Sequence, residues 1–170
     1  MSEWNNFFVR KEGEADTYES VSEWGVFCKD IPFKLMDKVR EPARRTWHDE
    51  HGDDEYIGVD GLRLDAYTMK VSFACKRMAA GSKDAQTYGK VVADVRTAVL
   101  DCLTWLRESG MMMMYSSYTR IGRQHVRFVG VDDDAVWNRD GDGEFLVFNV
   151  ELKVNDPVTE VTLVNGELVI

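Results

Sequence analysis

The sequence predicts an α+β fold, a mostly antiparallel sheet or β-sandwich with one long helix, at about residues 83–109, lying on its flank. Three observations carry that expectation. Two long stretches alternate apolar and polar residues, an apolar stripe between them recurs at spacings of three and four, and the last residues hold an Asn-Gly pair between apolar segments. Of the 170 residues, 44 % are hydrophobic and 30 % charged, the balance of an ordinary globular chain.

The first fifty residues read as irregular and aromatic-rich, with Trp4, Phe7, Phe8, Tyr18, Trp24, Phe27, Phe33 and Trp47 between polar breaks. Val21 to Phe27 predicts a short strand, and Pro32 and Pro42 exclude a long regular element across the segment. The acidic run from Asp49 to Glu55 predicts an exposed loop. The expected organisation is therefore an aromatic-rich arm and charged loop over 1–55, then a sheet-plus-helix core with a C-terminal hairpin over 56–170.

Within that core, Tyr67, Met69, Val71, Phe73 and Cys75 alternate with Thr68, Lys70, Ser72, Ala74 and Lys76. A period of two with one apolar face predicts a long half-buried strand, antiparallel rather than parallel. Ser82 is placed to cap the helix that follows. Tyr88, Val91, Val95, Val99, Cys102 and Leu106 form its buried stripe, Gly89 weakens its first turn and Gly110 supplies its stop. Met111 to Thr119 predicts a strand, His125 to Val131 another, and Glu144 to Val154 a third long one with Leu146, Phe148, Val150, Leu152 and Val154 facing one way. Asn165-Gly166 predicts the terminal hairpin.

Thirty acidic residues against twenty-one basic give a formal charge of −9, which excludes a generally basic nucleic-acid binder. Cys28, Cys75 and Cys102 are scattered and odd in number, so they predict buried small hydrophobes in a reducing compartment rather than a disulfide framework. The start lacks a basic segment and an apolar run, which predicts no signal peptide. No apolar stretch nears the roughly 20 residues that cross a bilayer, so no membrane partner is expected.

The chemical constellations are weak. Asn138 to Glu144 imitates the start of a calcium loop, but the position for the bidentate Glu is Asn149, so a hairpin turn is the better reading. His48 and His51 among Asp49, Glu50, Asp53 and Asp54 lack the spacing of a helical zinc motif, and Asp132-Asp133-Asp134 reads as a charged turn. There is no Gly-x-Ser-x-Gly elbow, phosphate loop or dinucleotide fingerprint. No enzyme activity, cofactor or metal is expected.

Charge patterning points to protein contacts instead. On a regular strand, Arg123, His125 and Arg127 share one face opposite Val126 and Phe128, with Arg120 nearby. That stripe suits an acidic loop of an identical neighbour, a passing nucleic acid without sequence-specific binding, or plain solvent. Lys38, Arg40, Arg44 and Arg45 form a second basic patch beside the acidic run, a juxtaposition that suits head-to-tail subunit contacts. Met111 to Met114 cannot all be buried on one strand face, and the remainder suit an adaptable interface. A monomeric adaptor or ligand-binding module and a metal-dependent hydrolase remain as alternatives.

Four segments carry a resemblance to a known family: Tyr18-Glu19-Ser20-Val21-Ser22-Glu23-Trp24-Gly25-Val26, the turn Gly58-Val59-Asp60-Gly61-Leu62-Arg63-Leu64-Asp65, the Tyr67 to Cys75 strand, and the helix ending near Trp105-Leu106. Over Tyr18 to Gly110, about half the chain, it resembles phage tail-component families, nearest to the N-terminal part of distal tail proteins. The resemblance implies a non-enzymatic virion subunit of a phage or prophage, commonly a homohexameric ring, that joins the tail tube to the baseplate or tip. It also implies self-association, contacts with other tail proteins, and a place in the virion tail, with assembly in the host cytoplasm. Trp4, Phe7, Phe8, Trp24, Arg123, His125 and Arg127 are then the expected interface residues.

Overall fold

A computed structural model describes residues 4–132, 135–138 and 144–170. Its strands are β1 (Phe7–Lys11), β2 (Thr17–Glu19), β3 (Val26–Cys28), β4 (Arg44–Thr46), β5 (Asp53–Glu55), β6 (Tyr67–Lys76), β7 (Met112–Ser116), β8 (Gly122–Val131), β9 (Val136–Asn138), β10 (Phe145–Val154), β11 (Thr162–Val164) and β12 (Glu167–Val169). The helices are α1 (Ser20–Trp24), α2 (Lys83–Tyr88) and α3 (Val95–Ser109).

The two alternating stretches form the spine. β6 and β10 pair antiparallel along their whole length, from Lys76 opposite Phe145 to Tyr67 opposite Val154. Every second residue of both strands therefore points inward, and all ten of those side chains are buried. Phe73 stacks on Phe7 of β1, ring centroids 5.0 Å apart, and meets Phe148 edge-on at 5.8 Å. Burying an aromatic of this size stabilises the fold by about 2–3 kcal/mol.

The main sheet runs β2-β1-β7-β8-β10-β6-β3, and β9 extends the pairing of β10 beyond the reach of β8. Its two flanks meet. Asn5, just ahead of β1, donates to the Cys28 carbonyl of β3 at 2.6 Å and accepts from the Cys28 N–H at 2.8 Å. The hydrogen-bonded path thus closes into a barrel at this isolated bridge. α3 covers it with Val95, Val99, Cys102 and Leu106, the stripe predicted from spacing.

The fold is the expected α+β arrangement of antiparallel sheet and flanking helix, with local differences. The 83–109 helix is two helices. Ser82 caps α2 as expected, its Oγ accepting from Ala85 N–H at 3.1 Å, but Gly89 adopts φ 65° and ends the helix. The chain then pairs Val92 with Met78, and Asp94 starts α3 by accepting from Arg96 N–H and Thr97 Oγ1. Val91, expected in the apolar stripe, is half exposed in this break. The strand expected over Val21 to Phe27 is instead α1, a turn and β3. Gly25 stops α1 at φ 72°, and a Cβ there would lie 2.5 Å from Val92 Cγ2.

The first 55 residues are less irregular than their sequence suggests. β1, β2 and β3 all belong to the main sheet, and β4 and β5 form a separate two-stranded sheet within the exposed stretch that follows Phe33. At the other end, Asn165 and Gly166 turn the predicted hairpin with φ 52° and 79°, the paired positive values a two-residue turn requires. That hairpin packs on its own chain: Leu168 is fully buried, its carbonyl accepts from Arg10 Nη1 at 2.7 Å, and its N–H donates to Thr17 Oγ1.

Candidate functional site

Between Lys38 and Asp65 the chain makes a long projecting ribbon. Asp65 N–H donates to Lys38 O at 3.0 Å, Arg40 N–H to Arg63 O at 2.7 Å and Tyr56 N–H to Ala43 O at 2.8 Å, and β4 pairs with β5 above them. Opposite signs face each other across it. Arg44 lies 3.6 Å from Asp53, Arg40 3.0 Å from Asp65, Trp47 Nε1 donates to Asp54 at 2.7 Å, and Arg45 covers the Trp47 ring at 4.9 Å. These charges hold the strands in register, each exposed pair contributing at most about 1 kcal/mol.

Nothing in this ribbon resembles a core. Every residue of β4 and β5 is exposed, and so are Leu35, Met36, Trp47, Tyr56, Ile57, Val59 and Leu62, with Tyr56 80 % accessible and Val59 fully so. Exposed apolar residues also occur elsewhere on the chain, such as Leu100, Tyr118 and Val158, but in the ribbon they accompany strands with no buried residue at all. The acidic run and the second basic patch of the sequence both lie here, as the two sides of one ribbon.

The ribbon is rooted in the barrel by two side chains. Tyr67 Oη, at the start of β6, accepts from Lys34 N–H at 3.1 Å, and Arg123 Nη2 donates to Lys34 O at 3.2 Å. Arg123 is 5 % exposed, its Nη1 reaches only its neighbour Gly122 O at 3.4 Å, and its Nε has no partner among the described residues. A guanidinium buried against carbonyls, with no ion pair among the described residues, is costly to hold.

This placement corrects the expected basic stripe. Met114 pairs with Arg123 and Met112 with Val126, so Gln124 and His125 together oppose Met113. That bulge, with His125 at φ 53°, shifts the parity of β8 by one residue and turns Arg123 inward opposite the buried Met114. His125 turns the other way: its Nδ1 and its N–H both lie 2.7 Å from Glu12 Oε1. Arg127 remains exposed. The three residues do not share a face.

The aromatic candidates divide similarly. Phe7 and Trp24 are core residues, Trp24 packing on Tyr18 at 6.1 Å and Trp105 at 5.3 Å. Phe8 is half-buried against Tyr115, and Trp4 is half-buried with Lys29 Nζ 5.9 Å from its ring. Met112 and Met114 point into the barrel, while Met111 is 40 % exposed. The ribbon, with the exposed Tyr56, Ile57, Val59 and Leu62, holds none of the expected interface residues. Its signal was the facing of Lys38 to Arg45 by Asp53 to Asp65 around the turn-forming residues Asp49 to Gly52.

Burial pushes the Cys28 and Cys75 thiols up to about 12, and raises Cys102 as well, so none is a ready thiolate. Among the described residues no group of three or more His, Cys, Asp or Glu could hold a metal ion, and no helix is long and apolar enough to cross a membrane. His48 and His51 are exposed near the ribbon tip. Asp132 lies 2.8 Å from Lys70 Nζ. Asp133, Asp134 and residues 139–143 of the calcium-like segment lie outside the described residues.

No family model and no curated protein sequence matches the chain. Among solved structures it is similar to the SPP1 Dit protein, a paradigm of the hub adsorption apparatus in phages that infect Gram-positive bacteria. The TM-score is 0.50 and the identity 13 %, and the likeness covers 92 % of this chain and 52 % of that one. The chain thus spans about half the length of the protein it matches. What is shared is the fold, a weak and partial likeness to a phage tail protein in line with the family resemblance of the sequence.

Proposed function

We propose that the chain is a non-enzymatic structural subunit of a phage or prophage tail, which self-associates into a ring between the tail tube and the baseplate or tip. The observation that carries this reading is the ribbon over 38–65, whose apolar side chains find no cover on their own barrel. A surface of this kind on one end of a subunit, received by a different surface on the next, makes a heterologous contact, and such contacts close into rings when the rotation allows. The fold shared with a hub protein supports the same assignment. Other tail proteins would meet the faces of the ring. With Arg123 inside the barrel, a passing DNA would meet Arg127 rather than a continuous basic stripe.

Light scattering coupled to size exclusion, across protein and salt concentrations, tests the reading. A closed oligomer of discrete mass, six copies above all, is the expected result. A monodisperse monomer at the highest concentration overturns self-association and leaves a monomeric adaptor.

A further inference from the structure

The chain turns Arg123 into its barrel and leaves the charge there with no ion pair among the described residues. A guanidinium keeps its proton throughout the ordinary pH range, so burial does not neutralise it as it would a lysine. Its Nη2 donates to Lys34 O at 3.2 Å, its Nη1 makes a long contact with Gly122 O at 3.4 Å, and its buried Nε–H has no acceptor. The Tyr67 hydroxyl meets the same residue, accepting from Lys34 N–H at 3.1 Å, and has no acceptor for its own proton among the described residues. Two groups that touch Lys34 thus hold donors that the chain does not use.

The carboxylates of this region are occupied or turned away. Glu12 holds His125, Asp156 holds Gln124, and Asp37 pairs with Lys34 Nζ at 2.9 Å. Glu160, bridged to Arg123 through the backbone, is exposed and makes no ion pair with it. Glu12 and Asp156 bind the two residues of the bulge that turns Arg123 inward, so the fold itself holds the guanidinium in place. A buried cation with unused donors calls for an acceptor that carries negative charge. Burial sets the size of that acceptor. Arg123 is 5 % exposed and Lys34 beside it is exposed, so the spot lies just below the surface and admits an ion of a few atoms rather than a peptide.

We propose that Arg123, with the Tyr67 hydroxyl, binds one small anion, chloride or an oxyanion the size of formate, where the ribbon leaves the barrel. The anion supplies the missing acceptor and ties β8 to Lys34, so its binding stiffens the ribbon root. The inference does not depend on self-association. Chloride and formate are the probes, each exchanged for gluconate, an anion too bulky for the site, at constant ionic strength. Chloride NMR line broadening gives the dissociation constant. At tenfold that concentration the parental thermal midpoint is expected to rise by about 3–6 °C, and amide exchange at residues 34–38 to slow. Arg123→Met is expected to lose both responses, and Tyr67→Phe, which keeps the ring, to weaken the anion about tenfold. A midpoint that follows the anions equally in the parent and in Arg123→Met reports bulk salt and overturns the site. A parent indifferent to both anions overturns it too, and a loss of stability in Glu160→Gln would then assign the charge to an internal pair. If Arg123→Met fails to fold, an unchanged chloride affinity in Tyr67→Phe overturns the assignment.

Discussion

The barrel and the ribbon are built from opposite materials. The barrel buries the rings of Phe7, Phe73 and Phe148 at its centre and closes its own hydrogen-bond ladder at Asn5 and Cys28. The ribbon buries none of its strand residues and is held by exposed pairs of opposite charge. A two-stranded ribbon of this kind is marginal in isolation. Its backbone is kept extended by a root that belongs to the barrel, and its apolar side chains Tyr56, Ile57 and Val59 stay exposed on the chain itself. One region specifies the fold and the other spends the fold's stability on reach.

The contrast predicts that damage to each region is read by a different instrument. Phe73→Ala removes a ring packed on two others and is expected to destabilise the chain by about 3–5 kcal/mol, seen as a large fall in the thermal midpoint. Replacing residues 40–63 by a short Gly-Ser bridge is expected to leave that midpoint within a few degrees and to abolish association. If the shortened chain unfolds instead, the ribbon is part of the fold and the contrast is wrong.

Arg123 is where the two regions meet, and it sharpens the boundary. Its guanidinium touches the Lys34 carbonyl at the ribbon root, but its burial carries an uncompensated charge. Arg123→Met keeps the bulk and removes both the charge and the anchor. Because the lost desolvation cost offsets the lost hydrogen bonds, global stability is expected to change by no more than about 1 kcal/mol. Amide exchange at residues 34–38 should quicken at the same time, since the root loses a tether. A loss well above that, with unchanged exchange at the root, would mean that Arg123 serves the barrel alone.

How much of this could be read from the residues follows from where periodicity exists. β6, β10, the stripe of α3 and the Asn165-Gly166 hairpin were legible, because each repeats its own period or contains its own turn. β1, β2 and β3 were not, since short strands built on Phe8, Tyr18 and Val26 acquire their structure from partners on other strands, Tyr115, Val9 and Cys75. The break after Tyr88 was half-visible in Gly89, though the Asp94 and Thr97 cap beyond it was overlooked. The basic stripe failed for a purely geometric reason: one bulge residue in β8 reverses every facing before it, and no sequence period records an inserted residue. The ribbon was missed because both its faces are solvated, so it shows no alternation.

That bulge is held by a carboxylate, which gives the smallest effect expected. Partial burial pushes the Asp156 carboxyl up, but Gln124 Nε2 at 2.6 Å and the N–H groups of Thr159 and Val158 at 3.0 Å outweigh it and bring the group down to about 2. Gln124 is a bulge residue, so Asp156 ties the turn after β10 to the kink that sends Arg123 inward. A carboxyl lowered on folding stabilises the folded state while it is ionised in both states. Its contribution is therefore complete above the ordinary carboxylate value near 4 and is lost as pH falls from there through about 2. Asp156 is only partly buried, so solvent screening limits that contribution to about 1 kcal/mol. Chemical denaturation of the parent chain and of Asp156→Asn should give a stability gap that is constant above pH 5 and closes toward pH 2. A gap that persists in acid would show that the side chain acts through its shape, and that the bulge is fixed by the barrel rather than by this charge.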